Sequence, residues 1–229
     1  MTRKYKGKFI FIAFRVQERL PMKKFVKKLV QIIALVLVFP LYALMFLCEL
    51  LVKTDEPFQG FSQFLSLFPG VPGNYFRQQF YRLALVSCSN DCCIEFGTCF
   101  SQRGTELGRR VYIGANCSIG LCRIDDDVML GSNVDIISGK KQHLFESLDI
   151  PMREQGGELD KIVIGEDCWL GNSSVIMANI GKKSIVAAGS VVVKEVPPFN
   201  IVGGNPARIL RSRLDDASVD RVATRGHIK

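Results

Sequence analysis

Residues 164–176 of this chain read IGEDCWLGNSSVI, and aliphatic side chains recur there at every sixth position, at Ile164, Leu170 and Ile176. The same period runs through most of the second half of the chain. One run, with a single five-residue step, consists of Leu107, Ile113, Ile119, Ile124, Leu130 and Ile136. The other continues after a four-residue step with Ile180, Val186 and Val192. Side chains repeat every 3.6 residues on a helix and every two on a strand, so a period of six fits neither. It predicts a mainly β solenoid whose short strands each place one aliphatic residue inward.

Small or acidic residues follow many of these aliphatic positions, which indicates tight corners between the strands. They are Gly108, Gly114, Gly120, Asp125, Gly131, Gly165, Gly171, Gly181 and Ala187. The predicted parallel β-helix therefore covers residues 94–213, and residues 214–229 form a polar tail.

The basic charge of the chain is concentrated at its N-terminus. Residues 1–28 contain ten Lys and Arg residues and one acid, Glu18, whereas the other 201 residues contain 20 basic and 21 acidic residues. A nucleic-acid-binding protein would spread basic residues over a domain face, so we expect no nucleic-acid partner. A basic arm directly before an apolar segment is typical of attraction to anionic lipids.

That apolar segment, residues 29–52, is interrupted only by Gln31, Pro40 and Glu49. Its uncharged part, residues 32–48, is 17 residues long, at the lower limit for crossing a bilayer. A signal peptide would need a small-x-small cleavage site, and a soluble buried helix would usually have a polar face. We therefore predict a membrane-associated helix, bent at its proline.

Residues 53–93 are predicted to form a helical connecting region. Phe58, Phe61, Phe64 and Phe68 recur at helical spacing, and a second short helix carries Phe76, Phe80 and Leu83 on one side. These aromatic residues either cover the first coil or lie at the membrane interface. The eight cysteines form no paired C-x-x-C motif, so we interpret them as buried thiols in a reducing compartment.

Four motifs resemble those of the hexapeptide-repeat acetyltransferases, above all the galactoside and maltose O-acetyltransferase branch. They occupy residues 111–114 (VYIG), 164–171 (IGEDCWLG), 187–192 (AAGSVV) and 203–208 (GGNPAR). The resemblance implies a left-handed triangular β-helix, a homotrimer with active sites between subunits, and acetyl-CoA as co-substrate without a required metal. Residues 1–90 depart from the soluble members, and membrane-linked variants that modify cell-surface polysaccharides are the more similar type.

The resemblance places a catalytic histidine in the excursion that interrupts the repeat at residues 138–161, where this chain has His143. Neutral imidazole would accept the proton of an acceptor hydroxyl as its oxygen attacks the thioester. A solvent-exposed loop histidine is the alternative. Either a backbone carbonyl or an acid, with Glu146 and Asp149 as candidates, is expected to orient the ring. The other histidine, His227, lies in the polar tail. A zinc-dependent carbonic anhydrase on this fold would need three histidines around the metal. Residues 94–213 contain only His143, so this activity is excluded.

The remaining site residues are also implied by the resemblance. Asn133 is expected to contact the acceptor or the thioester, although Asn also suits a left-handed corner. The predicted acetyl-CoA contacts are Asn172, Ala188, Val193, Lys194, Arg208 and Arg211. The cations would neutralise the CoA phosphates, and small Ala188 would let the pantetheine approach the backbone. Trp169 is expected at a subunit or cofactor interface. An acyl-cysteine would require Cys117 or Cys122 beside the histidine.

Together these patterns predict O-acetylation of a sugar hydroxyl, with a sugar or lipid-linked glycan as acceptor. The alternatives are N-acetylation of an amino sugar and a non-catalytic structural β-helix. Because acetyl-CoA is cytosolic and the basic arm should stay in the cytosol, we expect the cytoplasmic face of the inner membrane. The apolar helix should then be re-entrant or monotopic.

Overall fold

The computed structural model of the protein describes residues 21–215; His227 and most of the basic arm lie outside them. Three helices come first: α1 (Pro21–Val52), α2 (Glu56–Ser66) and α3 (Gly70–Ala84). Sixteen short strands, numbered in chain order, follow in three sheets. Sheet A contains β1 (Ser87–Cys88), β4 (Glu106–Leu107), β7 (Cys122–Ile124) and β10 (Ile162–Ile164). Sheet B contains β2 (Cys93–Ile94), β5 (Tyr112–Ile113), β8 (Met129–Leu130), β11 (Trp169–Leu170), β13 (Ile185–Val186), β15 (Asn200–Gly204) and β16 (Ala207–Ser212). Sheet C contains β3 (Cys99–Phe100), β6 (Ser118–Ile119), β9 (Asp135–Ile136), β12 (Val175–Ile176) and β14 (Val191–Val192).

Each of the first four coils consists of one strand from each sheet, and the coils stack with parallel pairing. In the fifth coil an isolated bridge at Ile180 takes the place of the sheet A strand. The strand register aligns the aliphatic positions of the repeat, since Leu107 pairs with Ile124 and Ile113 with Leu130. These four side chains are at most 2% exposed, because each points into the column that stacked coils enclose. The predicted parallel β-solenoid is confirmed.

The corners use left-handed backbone at residues other than glycine. The second residue of the turn has a positive φ of 56–63° at Arg110, Asn116, Asp127, Asn133, Asp167, Ser173, Lys183 and Phe199. The repeat glycines instead allow neighbouring coils to approach. A Cβ on Gly171, for example, would lie 2.4 Å from the backbone nitrogen of Ala188 in the next coil.

The first coil begins before the predicted boundary at residue 94, because β1 already pairs with β4. Helices α2 and α3 cover this coil, and their side chains Phe58 (on α2) and Phe80 (on α3) are fully buried. Phe64, in contrast, is 48% exposed. The cover interpretation therefore holds for the inner members of the phenylalanine stripes.

Arg77 links the helical cover to the first coil. It is fully buried, and its guanidinium donates hydrogen bonds to the carbonyl oxygens of Phe68 (2.7 Å), Ile94 (2.8 Å) and Leu65 (3.2 Å). The C-terminal end of α2, the following turn and strand β2 are thus held by one side chain.

Helix α1 starts earlier than the predicted residue 29 and continues through Pro40 without interruption. The bend expected at this proline stays a prediction. Within the described residues, Phe25–Val52 is the one helical segment long and apolar enough to cross a membrane. Only one side of it is packed, against α2 and α3.

Candidate active site

The excursion at residues 138–161 leaves the solenoid between β9 and β10 on a fixed root. Ser138 is buried, its hydroxyl accepts a hydrogen bond from the backbone nitrogen of Leu121 (2.7 Å), and its carbonyl accepts one from Asp160 (3.0 Å). The first and last residues of the excursion, which we call its two arms, are therefore held together at Ser138.

Main-chain hydrogen bonds also join the two arms on either side of His143. Glu158 donates to the carbonyl oxygen of Lys141 (2.8 Å), and Leu144 donates to that of Gly156 (3.0 Å). A Cβ on Gly157 would lie 1.9 Å from the carbonyl oxygen of Gln142, so the arms are in close contact here. The backbone that carries His143 is thus held by its own loop.

The imidazole of His143 is exposed, and within residues 21–215 no hydrogen bond orients it. Glu146 accepts a hydrogen bond from the backbone nitrogen of Phe145 (3.1 Å), and Asp149 is bonded through its own backbone to Ser147 (3.3 Å). Neither predicted orienting residue forms a hydrogen bond with the ring in the described part of the chain.

Three predicted residues lie in one column of corners between sheets B and C. Asn133, Asn172 and Ala188 occupy this corner in three successive coils, as the register of β8, β11 and β13 requires. All three are exposed. The nitrogen of Gly189 donates to the carbonyl of Asn172 (2.9 Å), which holds two of these corners together. Asn133 has a φ of 57°, so it fulfils the corner role; its contact with an acceptor stays a prediction.

Arg208 lies next to this column, on the antiparallel strand β16. It pairs with Gly203, and the residue before Gly203, Val202, accepts a hydrogen bond from Ala187 (2.8 Å). Arg208 and Arg211 are both exposed on β16, and Arg211 pairs with Ile201. The register therefore brings Arg208 close to the corner that contains Ala188.

Val193 and Lys194 lie at a different edge, between sheets C and A. The nitrogen of Ile137 donates to Ile176 and that of Met177 to Val192, which aligns residues 137, 177 and 193 in one column. Ile137 directly precedes the His143 excursion. The predicted cofactor residues of one chain thus occupy two edges that flank sheet C, and no hydrogen bond within residues 21–215 joins His143 to either group.

The acyl-cysteine alternative is contradicted by the position of the thiols. Cys117 and Cys122 are both buried. Burial raises the pKa of Cys122 to about 12 and raises that of Cys117, whose thiol donates to the carbonyl of Gly131 (3.2 Å). Neither thiol can reach a substrate or supply thiolate near neutral pH.

An apolar column runs along the outer face of sheet B. The register aligns Tyr112, Met129, Trp169, Ile185 and Ile201. Trp169 is 50% exposed and Met129 is 36% exposed, which is unusual for large apolar side chains side by side. Sequence reasoning selected only the tryptophan, because the column appears only when the coils are in register.

A separate polar groove lies on the sheet A side and includes none of the predicted site residues. Its lining residues include Glu106, Arg109, Arg123, Asp126 and Glu166. Within residues 21–215, no group of three or more His, Cys, Asp or Glu side chains is placed to hold a metal ion.

Comparison with known proteins finds acetyltransferases that contain the same six-residue repeat. A family profile described as "Hexapeptide repeat of succinyl-transferase" matches residues 161–194. A putative acetyltransferase of Saccharomyces cerevisiae is 31% identical over 147 residues, which cover 59% of this chain and 70% of that protein. A chloramphenicol acetyltransferase of Agrobacterium fabrum is 31% identical over 129 residues, covering 50% of this chain but only 57% of that protein's length.

Two solved structures are similar over most of the solenoid. A hexapeptide-repeat acetyltransferase from Vibrio cholerae, complexed with acetyl coenzyme A, aligns with a TM-score of 0.56 and 26% identity over 67% of this chain and 84% of that one. A maltose O-acetyltransferase from Clostridium difficile aligns with a TM-score of 0.59 and 25% identity over 72% and 88%.

The six-residue repeat, the excursion at residues 138–161 and these similarities define an acyltransferase-type parallel β-solenoid. The chain belongs to the hexapeptide-repeat acetyltransferase family.

Proposed function

We propose that the protein is an acetyl-CoA-dependent O-acetyltransferase that acts on a sugar hydroxyl with His143 as general base. The observation that carries the proposal is the position of His143 on an excursion whose two arms are hydrogen-bonded to each other: its imidazole is exposed, and no hydrogen bond within residues 21–215 engages it. The similarity to an acetyl-CoA complex and to a maltose O-acetyltransferase supports the co-substrate and the acceptor class.

In the proposed reaction, Nε2 or Nδ1 of neutral His143 accepts the hydroxyl proton while the hydroxyl oxygen attacks the thioester carbonyl. The negative charge that develops on the carbonyl oxygen is stabilised by a backbone N–H group of a facing coil. The intermediate then collapses, the C–S bond breaks, and the imidazolium returns the proton to the CoA sulfur. The products are the acetyl ester and free CoA, and the histidine is regenerated.

The proposed CoA contacts follow from charge and shape. Lys194, Arg208 and Arg211 carry positive charge for the phosphates, and Asn172 and Ala188 form small, exposed corners along which pantetheine can lie. Val193 adds an apolar contact beside Lys194. Asn133, one coil before Asn172, is proposed to contact the acceptor.

A homotrimer would complete the site. Since no hydrogen bond within the described part of the chain orients His143, we propose that a neighbouring subunit supplies its partner and the facing groove. The exposed apolar column that contains Trp169 and Met129 would be buried in such an assembly.

We further propose that the enzyme works at the cytoplasmic face of the inner membrane, on a surface-polysaccharide precursor or another lipid-linked glycan. Cytosolic acetyl-CoA, the basic N-terminal arm and the apolar helix α1 support this location.

The test is acetyl-CoA turnover by the purified full chain with a panel of sugar acceptors, comparing His143→Ala with the wild type. Loss of a general base should lower turnover by about a hundredfold or more. His227→Ala is the matched control and should leave turnover unchanged. Retained turnover in His143→Ala would show that this histidine is not the general base. Acetylation of amino sugars alone would show that the acceptor group is an amine and not a hydroxyl.

A further inference from the structure

Helix α1 is packed along a single narrow stripe. The buried residues Ala34, Val38 and Met45 fall on one face, in line with Gln31 and Glu49. Between residues 25 and 52, fourteen large apolar side chains are exposed: Phe25, Val26, Leu29, Ile32, Ile33, Val36, Leu37, Phe39, Leu44, Phe46, Leu47, Leu50, Leu51 and Val52. An apolar surface of this extent is not left in contact with water by a folded protein.

Both ends of the packed stripe are bound to the first coil. The side-chain amide of Gln31 donates to the carbonyl of Asn90 (2.8 Å), at the corner between β1 and β2, and to Oε1 of Gln78 on helix α3 (3.0 Å). Glu49 forms an ion pair with Arg103, at the corner between β3 and β4. These two polar residues, which interrupt the apolar segment in the sequence, are the ones that fasten it.

The contacts of Gln31 and Glu49 with the first coil determine the direction of α1. Gln31 and Glu49 are 18 positions apart, which is about 27 Å along a helix. Because both of their contacts lie on the same coil, α1 lies across the end of the solenoid, roughly perpendicular to the direction in which the coils stack.

This direction is incompatible with α1 crossing a bilayer while it stays docked. A crossing helix would place Asn90, Arg103 and the polar corners of the first coil within the hydrocarbon, where unsatisfied polar groups cost several kcal/mol each. Crossing without that penalty would require breaking the ion pair and both hydrogen bonds of Gln31.

The chemistry of the exposed face identifies its partner as a lipid leaflet. Within residues 29–52, every exposed side chain is apolar. The N-terminal end of α1 carries Lys27 and Lys28, and residues 1–28 contain ten basic residues against one acid. An apolar helix face beside concentrated basic charge matches an acyl layer under anionic headgroups.

We propose that α1 lies in the plane of one leaflet as a monotopic anchor, so that the solenoid stands upright on the membrane with its helical cover and first coil toward the surface. The His143 excursion leaves the third coil, two coil spacings or about 10 Å above the first. If the proposed acetyl transfer is correct, the acceptor sugar is therefore presented two coil spacings farther from the headgroups than the first coil, as a lipid-linked glycan would be.

The test uses tryptophan as a depth probe in the full chain. Ile33, Leu44 and Leu51 are exposed on the same side of α1, and each is replaced by Trp in a Trp169→Phe background. The variants are mixed with vesicles of phosphatidylethanolamine and phosphatidylglycerol whose acyl chains carry bromine either near the carbonyl or near the methyl end. An in-plane helix predicts the same loss of fluorescence at all three positions, larger with the shallow bromine.

Two outcomes would overturn the proposal. Quenching of Leu44→Trp by the deep bromine with shallow quenching at the other two positions would indicate a crossing helix. No quenching by either lipid would indicate that a second copy of the chain, or residues 1–20, covers this face. The wild-type chain is the control, since Trp169 lies on the fourth coil and should not be quenched. No acetyl acceptor is present, so these results are independent of the proposed reaction.

Discussion

Replacement of Arg77 by methionine should weaken the attachment of the helical cover to the solenoid and lower the free energy of unfolding by an amount that can be worked out from its hydrogen bonds. Methionine keeps much of the side-chain length but removes every hydrogen-bond donor. The two short bonds, to Phe68 (2.7 Å) and Ile94 (2.8 Å), contribute about 1.5–3 kcal/mol each when the donor is charged. Nη2 of Arg77 is buried without a partner, and its removal returns about 1 kcal/mol. We therefore expect the free energy of unfolding to fall by about 3 kcal/mol.

The assay is guanidinium-induced unfolding of the full chain in detergent micelles, followed by near-ultraviolet circular dichroism. Arg82→Met is the matched control on the same helix. Arg82 is exposed and makes one bond, to Gln79 (2.7 Å), so its loss should cost about 1 kcal/mol, clearly less than the loss of Arg77. Equal effects of the two substitutions would refute the assignment of Arg77 as the link between α2, α3 and the first coil.

Two further predictions concern the solenoid itself. Gly171→Ala should destabilise the chain by about 1–3 kcal/mol and raise KM for acetyl-CoA severalfold, because the new Cβ would lie 2.4 Å from the backbone nitrogen of Ala188 and force it away. The control is Gly60→Ala, whose Cβ would have no atom within 4 Å. Equal melting temperatures of the two variants would contradict the role of Gly171 in the close approach of the coils. For Cys122, whose folded pKa is about 12, the unfolded thiol loses its proton first, so stability should fall as the pH rises above about 8.5. Unfolding measured from pH 7 to pH 10 should show a smaller decline for Cys122→Ala, and parallel curves would exclude this thiol as a cause.

The six-residue repeat was readable from sequence because its cause is local. Each aliphatic residue specifies its own inward position, and the steps of five and four residues fall where sheet C passes to sheet A. The excursion at residues 138–161 was visible for the same reason, as an interruption of that period. The contacts predicted for His143, Asn133 and the CoA-binding residues came from a resemblance, and they stay predictions that the experiments above address.

The sequence could not reveal how the N-terminal third is arranged. The phenylalanine spacing was equally compatible with a cover and with a membrane interface, and only the packing of Phe58 and Phe80 under the helices distinguished them. The start of the first coil was placed too late, because β1 contains no aliphatic member of the repeat and is defined by its pairing with β4.

The chain's sequence thus determined the solenoid, its corners and the exposed imidazole-bearing loop, since each depends on residues a few positions apart. Tertiary structure alone decided the direction of α1. That direction depends on contacts between residues 59 and 54 positions apart, Gln31 with Asn90 and Glu49 with Arg103, which no local period encodes. A helix that is apolar on nearly every side has no preferred orientation until polar groups elsewhere in the fold fasten its ends.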